Sequence, residues 1–157
     1  LSTAKAFGAH ETISVMATTP AQRVDQVKAL SGGRGADITI EATGVTHAVK
    51  EGLQMTRDGG RYVIVGQYTD AGEVAINPHL EINKKHLEIR GCWGSDFSHF
   101  YRMVNVLARH GDRVGWEKMI SREYSLQEMN TALSDVAAGR VVKAVVRPNC
   151  PTASRLD

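Results

Sequence analysis

The run Ile38-Thr39-Ile40-Glu41-Ala42-Thr43-Gly44 decides how this chain is to be read. An apolar β-prone stretch ends in a small residue and a glycine, the signature of a buried strand that hands over to a helix. The pattern returns at Tyr62-Val63-Ile64-Val65-Gly66 and at Leu87-Glu88-Ile89-Arg90-Gly91-Cys92-Trp93-Gly94. Strands of this kind alternating with helical stretches build a parallel sheet whose carboxyl edge opens as a ligand crevice. No G-x-G-x-x-G or P-loop turn occurs anywhere in the chain, so a complete phosphate-binding turn is missing.

Outward from these strands, the helical segments fall where the periodicity places them. Leu1 to Gly8 reads as the last turns of a helix stopped by Gly8, and Glu11 to Val15 as a short strand. Pro20 sits at a first helical position after Thr18-Thr19, and Ser31-Gly32-Gly33-Arg34-Gly35 ends that helix. A strand over 36–42, a helix over 45–57, an Asp58-Gly59-Gly60 turn and a strand over 61–65 follow. The polar stretch 68–78 reads as a loop with a short strand near 74–76, and Pro78 opens a short helix through Lys85. A strand over 86–92 comes next. Ser95-Asp96 caps a helix to about residue 111, with Phe97, Phe100, Tyr101, Val104 and Leu107 on its apolar face. The last third reads as a strand over 119–124, a helix over 125–138 and a strand over 141–146. A disordered tail over 148–157 closes the chain.

Composition excludes several classes. At 157 residues the chain is long enough for one domain with a substantial core, and 42% hydrophobic with 23% charged residues is ordinary for a globular protein. The net charge of +2 is scattered, without the basic block that nucleic-acid binding requires. No apolar run approaches the ~20 residues of a membrane span, and no secretory signal is visible. The chain also lacks an initiator Met, so its first residue need not be the start of a gene product. Cys92 and Cys150 read as two reduced thiols of a cytoplasmic protein, too few for a disulfide framework or a four-thiolate zinc site.

Six segments resemble one family. Ala4-Lys5-Ala6-Phe7-Gly8-Ala9, Gly33-Arg34-Gly35-Ala36-Asp37, Glu41-Ala42-Thr43-Gly44, Arg57-Asp58-Gly59-Gly60-Arg61 with Val65-Gly66, Gly91-Cys92-Trp93-Gly94, and Gly139 to Val146 recur in order. At this spacing the chain resembles the zinc-containing alcohol dehydrogenases of the medium-chain dehydrogenase/reductase family. The resemblance covers residues 1 to about 147 and corresponds to the C-terminal half of the cofactor domain. It implies an α/β fold with a partial doubly wound, Rossmann-like parallel sheet lacking the first two strands. It also implies that the pyrophosphate turn, the ribose-reading residue and the ligands of the catalytic zinc lie outside the matched segment.

From the same resemblance, the loops after the three strands lie along the nicotinamide half of NAD or NADP. The matching positions are Ala42, Thr43 and Gly44; Val65, Gly66 and Gln67; and Cys92, Trp93 and Gly94. Glycines and small residues there let backbone amides approach a flat ring; the plain alternative is that Gly44 and Gly66 only make tight turns. Lys143 stands where the family often carries a basic residue near the pyrophosphate, or is a solvated charge on an edge strand. Arg34 and Arg61 read as solvated turn residues.

The six histidines form no metal-binding spacing, and no zinc is expected on this chain. His99 is a candidate proton shuttle whose alternative is a structural histidine. Gly32-Gly33-Arg34-Gly35 is rejected as a phosphate cradle because it closes a helix instead of opening one.

In a doubly wound sheet of spatial order 3-2-1-4-5-6, losing the first two strands strips both neighbours from residues 11–15 and one from residues 36–42. An unpaired buried-type edge recruits another strand: residues 11–15 moving beside 36–42, a second copy of the chain, or the missing half as a separate chain; of these a homo-oligomer, dimeric through sheet edges, is expected. The chain is therefore expected to be part of an alcohol dehydrogenase that is inactive in isolation. The alternative is a non-catalytic, self-associating α/β module with weak or no nucleotide binding.

Overall fold

A computed structural model describes residues 1–149, with the side chains of 112–114 and 117 left aside. The chain divides into two compact units, Leu1–Ser98 and a second that begins at His99.

In the first unit a short helix, α1 (Ser2–Ala6), precedes α2 (Pro20–Leu30). Thr19 caps α2 in a reciprocal box: its hydroxyl accepts from Gln22 N while its own N–H donates to the Gln22 side chain. Strand β1 (Ala36–Glu41), helix α3 (Thr46–Met55), strand β2 (Thr56–Ile64) and strand β3 (Glu88–Gly91) follow. All pairing is parallel, in the order β1-β2-β3, with Ile40 opposite Val63 and Tyr62 opposite Ile89. This is the 4-5-6 side of the doubly wound order, and β1 and β3 are both edges.

One sheet face is packed and the other is open. Leu53 and Tyr62 are buried between α3 and the sheet, and the ideal Cβ of a residue at Gly52 would stand 2.5 Å from the Tyr62 ring. Helix α3 can approach this closely only because position 52 has no side chain. Val24 joins the core from α2, which is tied to α3 by a bidentate Arg23–Glu51 pair at 2.6 and 2.8 Å. On the opposite face Ile38 and Ile40 are 58% and 63% exposed.

The second unit repeats the strand-helix-strand logic on a smaller scale. Strand β4 (Arg122–Ser125) pairs in parallel with β5 (Ala144–Arg147), and α5 (Met129–Ala137) makes the crossover. Tyr124 and Ala132 form its core, and the Tyr124 hydroxyl donates to Asp135 at 2.6 Å. Helix α4 (Phe97–Val114) leads into this unit, with Phe97, Phe100, Tyr101 and Val104 all exposed.

Several expectations are corrected. Residues 11–15 form no strand; Val15 opens a 3-10 turn, Val15–Ala17, because no strand in the described residues lies beside it to complete a ladder. No strand forms near 74–76 for the same reason. Asp58-Gly59-Gly60 does not separate a helix from a strand: β2 starts at Thr56 and absorbs the three residues as an irregularity, since Ala36 pairs with Thr56 but Ile38 with Arg61. The segment opened by Pro78 is a π-helical turn, His79–Asn83, and the expected helix over 125–138 begins as a 3-10 turn, Leu126–Glu128. The expected tail over 148–157 lies, from Cys150 onward, outside the described residues.

Candidate functional site

The crevice is built at the carboxyl ends of β1, β2 and β3. At the end of β1, Glu41 is 4% exposed, an unusual place for a carboxylate. Its Oε1 accepts the Thr43 N–H and hydroxyl, both at 2.7 Å, and the Gly44 N–H at 2.9 Å. Its Oε2 accepts from the Gln67 side-chain amide at 3.4 Å, and its backbone carbonyl accepts the Val65 and Gly66 N–H groups at 2.9 and 3.0 Å. One residue thus ties the loop after β1 to the loop after β2. Burial works to raise the Glu41 pKa, but the donors from Thr43, Gly44 and Gln67 outweigh it, so the carboxyl stays below its ordinary value.

The glycines at this junction have a steric cause. A Cβ at Gly66 would meet the Gly44 N at 2.5 Å and the Thr43 N at 2.6 Å. Gly44 has φ +72°, and a Cβ there would stand 2.8 Å from the Gly66 carbonyl oxygen. The two loops touch backbone to backbone, which no side chain at either position permits.

The third loop joins through aromatic contact. The Cys92 N–H donates to the Ile64 carbonyl at 3.0 Å, continuing the ladder beyond β3. Trp93 stacks on Tyr68 with centroids 5.5 Å apart, and its indole N–H donates to the Tyr68 carbonyl at 3.3 Å. Trp93 remains 74% exposed, so its indole presents a flat apolar surface at the sheet edge. Beside these loops lies a cavity of about 460 Å³ lined by Thr46 and Val49 of α3, Ile64, Gln67, Tyr68 and the following loop. That is within the size range of small-molecule pockets.

Among the residues expected from sequence, Ala42, Thr43, Gly44, Val65, Gly66, Gln67, Cys92, Trp93 and Gly94 all fall on the three strand-end loops of the first unit. Direct contacts link the first two loops, and Tyr68 links the second to the third. Lys143 belongs to the second unit, where its exposed residue precedes β5 and its backbone bonds Ser121. His99 is also a residue of the second unit, exposed on α4. Arg61 is not in a turn: it lies within β2 and pairs with Glu88 at 2.6 Å. Glu41 was missed by the sequence reading, although a glutamate ending an otherwise apolar strand was the available signal.

No group of three or more His, Cys, Asp or Glu side chains is placed to hold a metal ion among the described residues. The donor set among the described residues does not fit a catalytic zinc. No described helix is long and apolar enough to cross a membrane.

A parallel α/β sheet with a glycine-lined crevice at its carboxyl edge defines the doubly wound class of ligand-binding domains. Within that class the chain belongs to the zinc-binding dehydrogenase family, whose model matches residues 1–109. It is 36% identical over 146 residues to 5-exo-hydroxycamphor dehydrogenase of Pseudomonas putida, covering 93% of this chain and 40% of that protein. It is 31% identical to the erythritol/L-threitol dehydrogenase of Mycolicibacterium smegmatis, over 89% of this chain and 36% of the relative. A crystal structure of an alcohol dehydrogenase from Thermotoga maritima superposes with a TM-score of 0.83 at 29% identity, covering 94% of this chain and 40% of that one. The chain therefore spans about 40% of the length of the relatives it matches.

Proposed function

We propose that the first unit carries the nicotinamide-facing wall of a cofactor site in an NAD(P)-dependent alcohol or polyol dehydrogenase. The relatives are named as dehydrogenases of 5-exo-hydroxycamphor and of erythritol and L-threitol, which supports an alcohol or polyol as the substrate class. The observation that carries the reading is the Glu41 junction, which fixes the Thr43–Gly44 and Gly66–Gln67 loops in one arrangement beside the 460 Å³ cavity. A bound nicotinamide supplies hydride transfer to or from the alcohol carbon. The residues of this chain bind and orient its ring: the Gly44–Gly66 contact holds the two loop backbones in one arrangement, and Trp93 gives a flat wall.

The 157-residue chain by itself is expected to oxidise no alcohol, because it presents neither a G-x-G-x-x-G turn nor a metal-holding cluster among its described residues. Isothermal titration with NADH and NADPH tests the cofactor wall: millimolar affinity is expected. Micromolar affinity would contradict the reading, since it requires a phosphate grip that these loops do not provide.

A self-associating module is the second reading, favoured by the open sheet face at Ile38 and Ile40 and by the edges of β1 and β3, which no strand among the described residues pairs. A homodimer through these edges is the expected state in solution. Size-exclusion chromatography with light scattering distinguishes the cases, and a soluble monomer would exclude the dimer.

A further inference from the structure

A second cavity of the first unit lies away from the crevice. It opens at the amino ends of β1 and β2, between the end of α2 and the π-helical turn, with a volume of about 730 Å³. Five of its lining residues are basic and two are acidic.

Most of these charges have internal partners. Glu81 is held by the Asn77 N–H at 2.7 Å, the Gln54 amide at 3.1 Å and Lys50 at 3.9 Å. Arg57 is held by Asp37 at 2.5 Å. The Lys85 ammonium donates to the Leu53 and Thr56 carbonyls, closing the carboxyl end of α3. Burial lowers the Lys85 pKa, and the nearby Lys28 charge lowers it further against the attraction of Asp58 and Glu81.

Three lining cations remain. Lys28 on α2, Arg34 on the turn before β1 and Lys84 after the π-helical turn have no carboxylate within ion-pair distance among the described residues. Asp58 is the single lining carboxylate without an ion-pair partner, so positive charge is in excess. The carboxyl end of α2 contributes roughly −0.5 charge, less than one of these cations. The amides of the glycine turn are occupied within it: Gly33 N bonds the Lys28 carbonyl at 2.7 Å and Gly35 N the Ser31 hydroxyl at 2.9 Å. Recognition in this groove falls to side-chain cations, which agrees with the rejection of that turn as a backbone cradle.

We propose that this groove binds a small anion carrying two or more phosphate groups, contacted by Lys28, Arg34 and Lys84. The three cations come from three separate segments around a cavity of ligand size, more than one phosphate reaches at once. Charge-assisted contacts to phosphate oxygens are the strong kind. The site stands at the opposite ends of the strands from the nicotinamide-facing crevice and does not depend on that reading.

The test is isothermal titration of the full chain with inorganic tripolyphosphate at low salt, with inorganic phosphate as comparator. Saturable one-to-one binding is expected, with inorganic phosphate weaker by about tenfold or more, and with Lys28→Gln plus Lys84→Gln weakening tripolyphosphate by a similar factor. Lys118→Gln, exposed in the second unit, is expected to change nothing. Arg34→Gln provides a separate single-site check, with circular dichroism verifying the fold of every variant. Absence of saturable binding would overturn the proposal. So would equal affinity for inorganic phosphate, or equal weakening by Lys118→Gln.

Discussion

The Glu41 carbonyl accepts the Gly66 N–H at 3.0 Å, and the Glu41 carboxylate lies 2.7 Å from where a Gly66 Cβ would stand. Strand end, buried charge and glycine therefore form one structural unit. The shape of the crevice follows from it.

Gly66→Ala is expected to force the two loops apart, because the added methyl meets backbone nitrogens of Thr43 and Gly44 that have no room to yield. Overpacking of this kind costs about 1–3 kcal/mol. Thermal melting should fall by roughly 2–4 °C per kcal/mol for a chain of this size. Ala at exposed Gly91, which like Gly66 has no positive φ and where a Cβ meets nothing within 4 Å, serves as the comparison without overpacking.

Glu41→Gln removes the charge that accepts from Thr43, Gly44 and Gln67, a loss of about 1.5–3 kcal/mol for hydrogen bonds to a charged group. The folded-state carboxyl titrates below its ordinary value. Its contribution is thus complete above the unfolded pKa of about 4.3 and disappears as pH falls through the lower folded value. Melting curves of both proteins should differ most near neutral pH and converge under acid conditions. A gap independent of pH would show that the charge is not what holds the loops.

Glu51 follows the same direction for a different cause: the Arg23 guanidinium holds its carboxyl below the ordinary value, against burial. Glu51→Gln should weaken the α2–α3 contact near pH 7, with the difference again vanishing as the wild-type carboxylate is protonated. Urea denaturation at pH 7 and at pH 3 measures it.

Tyr62 carries the opposite problem. Its ring is fully buried against Gly52, yet its hydroxyl has no hydrogen-bond partner among the described residues, and burial together with the Glu41 charge pushes its pKa well up. Tyr62→Phe should leave stability unchanged or raise it by about 1 kcal/mol, since a buried unsatisfied hydroxyl is unfavourable. Gly52→Ala should be severely destabilising, because its methyl would stand 2.5 Å from the ring.

These residues show what could be read from the chain alone. The strand ends at Gly44 and Gly66 and the cap at Thr19 are local signals, written in residue type and spacing. Strand formation at 11–15 is not local: its apolar residues become a strand only where a neighbouring strand accepts their backbone, and none among the described residues does. The Asp58-Gly59-Gly60 segment carries turn chemistry, and Gly59 does adopt φ +65°, but pairing with β1 and β3 on either side keeps it within β2. Glu41 escaped notice because a charged residue ending a strand reads as solvated until the facing amides are seen. The basic groove depends on segments 28, 34 and 84, which only the fold brings around one cavity.

The crevice itself is tested most directly by titrating NADH into isotope-labelled protein and following backbone amide resonances. The account predicts weak, saturating shifts concentrated at Thr43, Gly44, Gly66, Gln67 and Trp93, with affinity in the millimolar range. Shifts absent from those amides at saturating NADH, or confined to other parts of the chain, would contradict it.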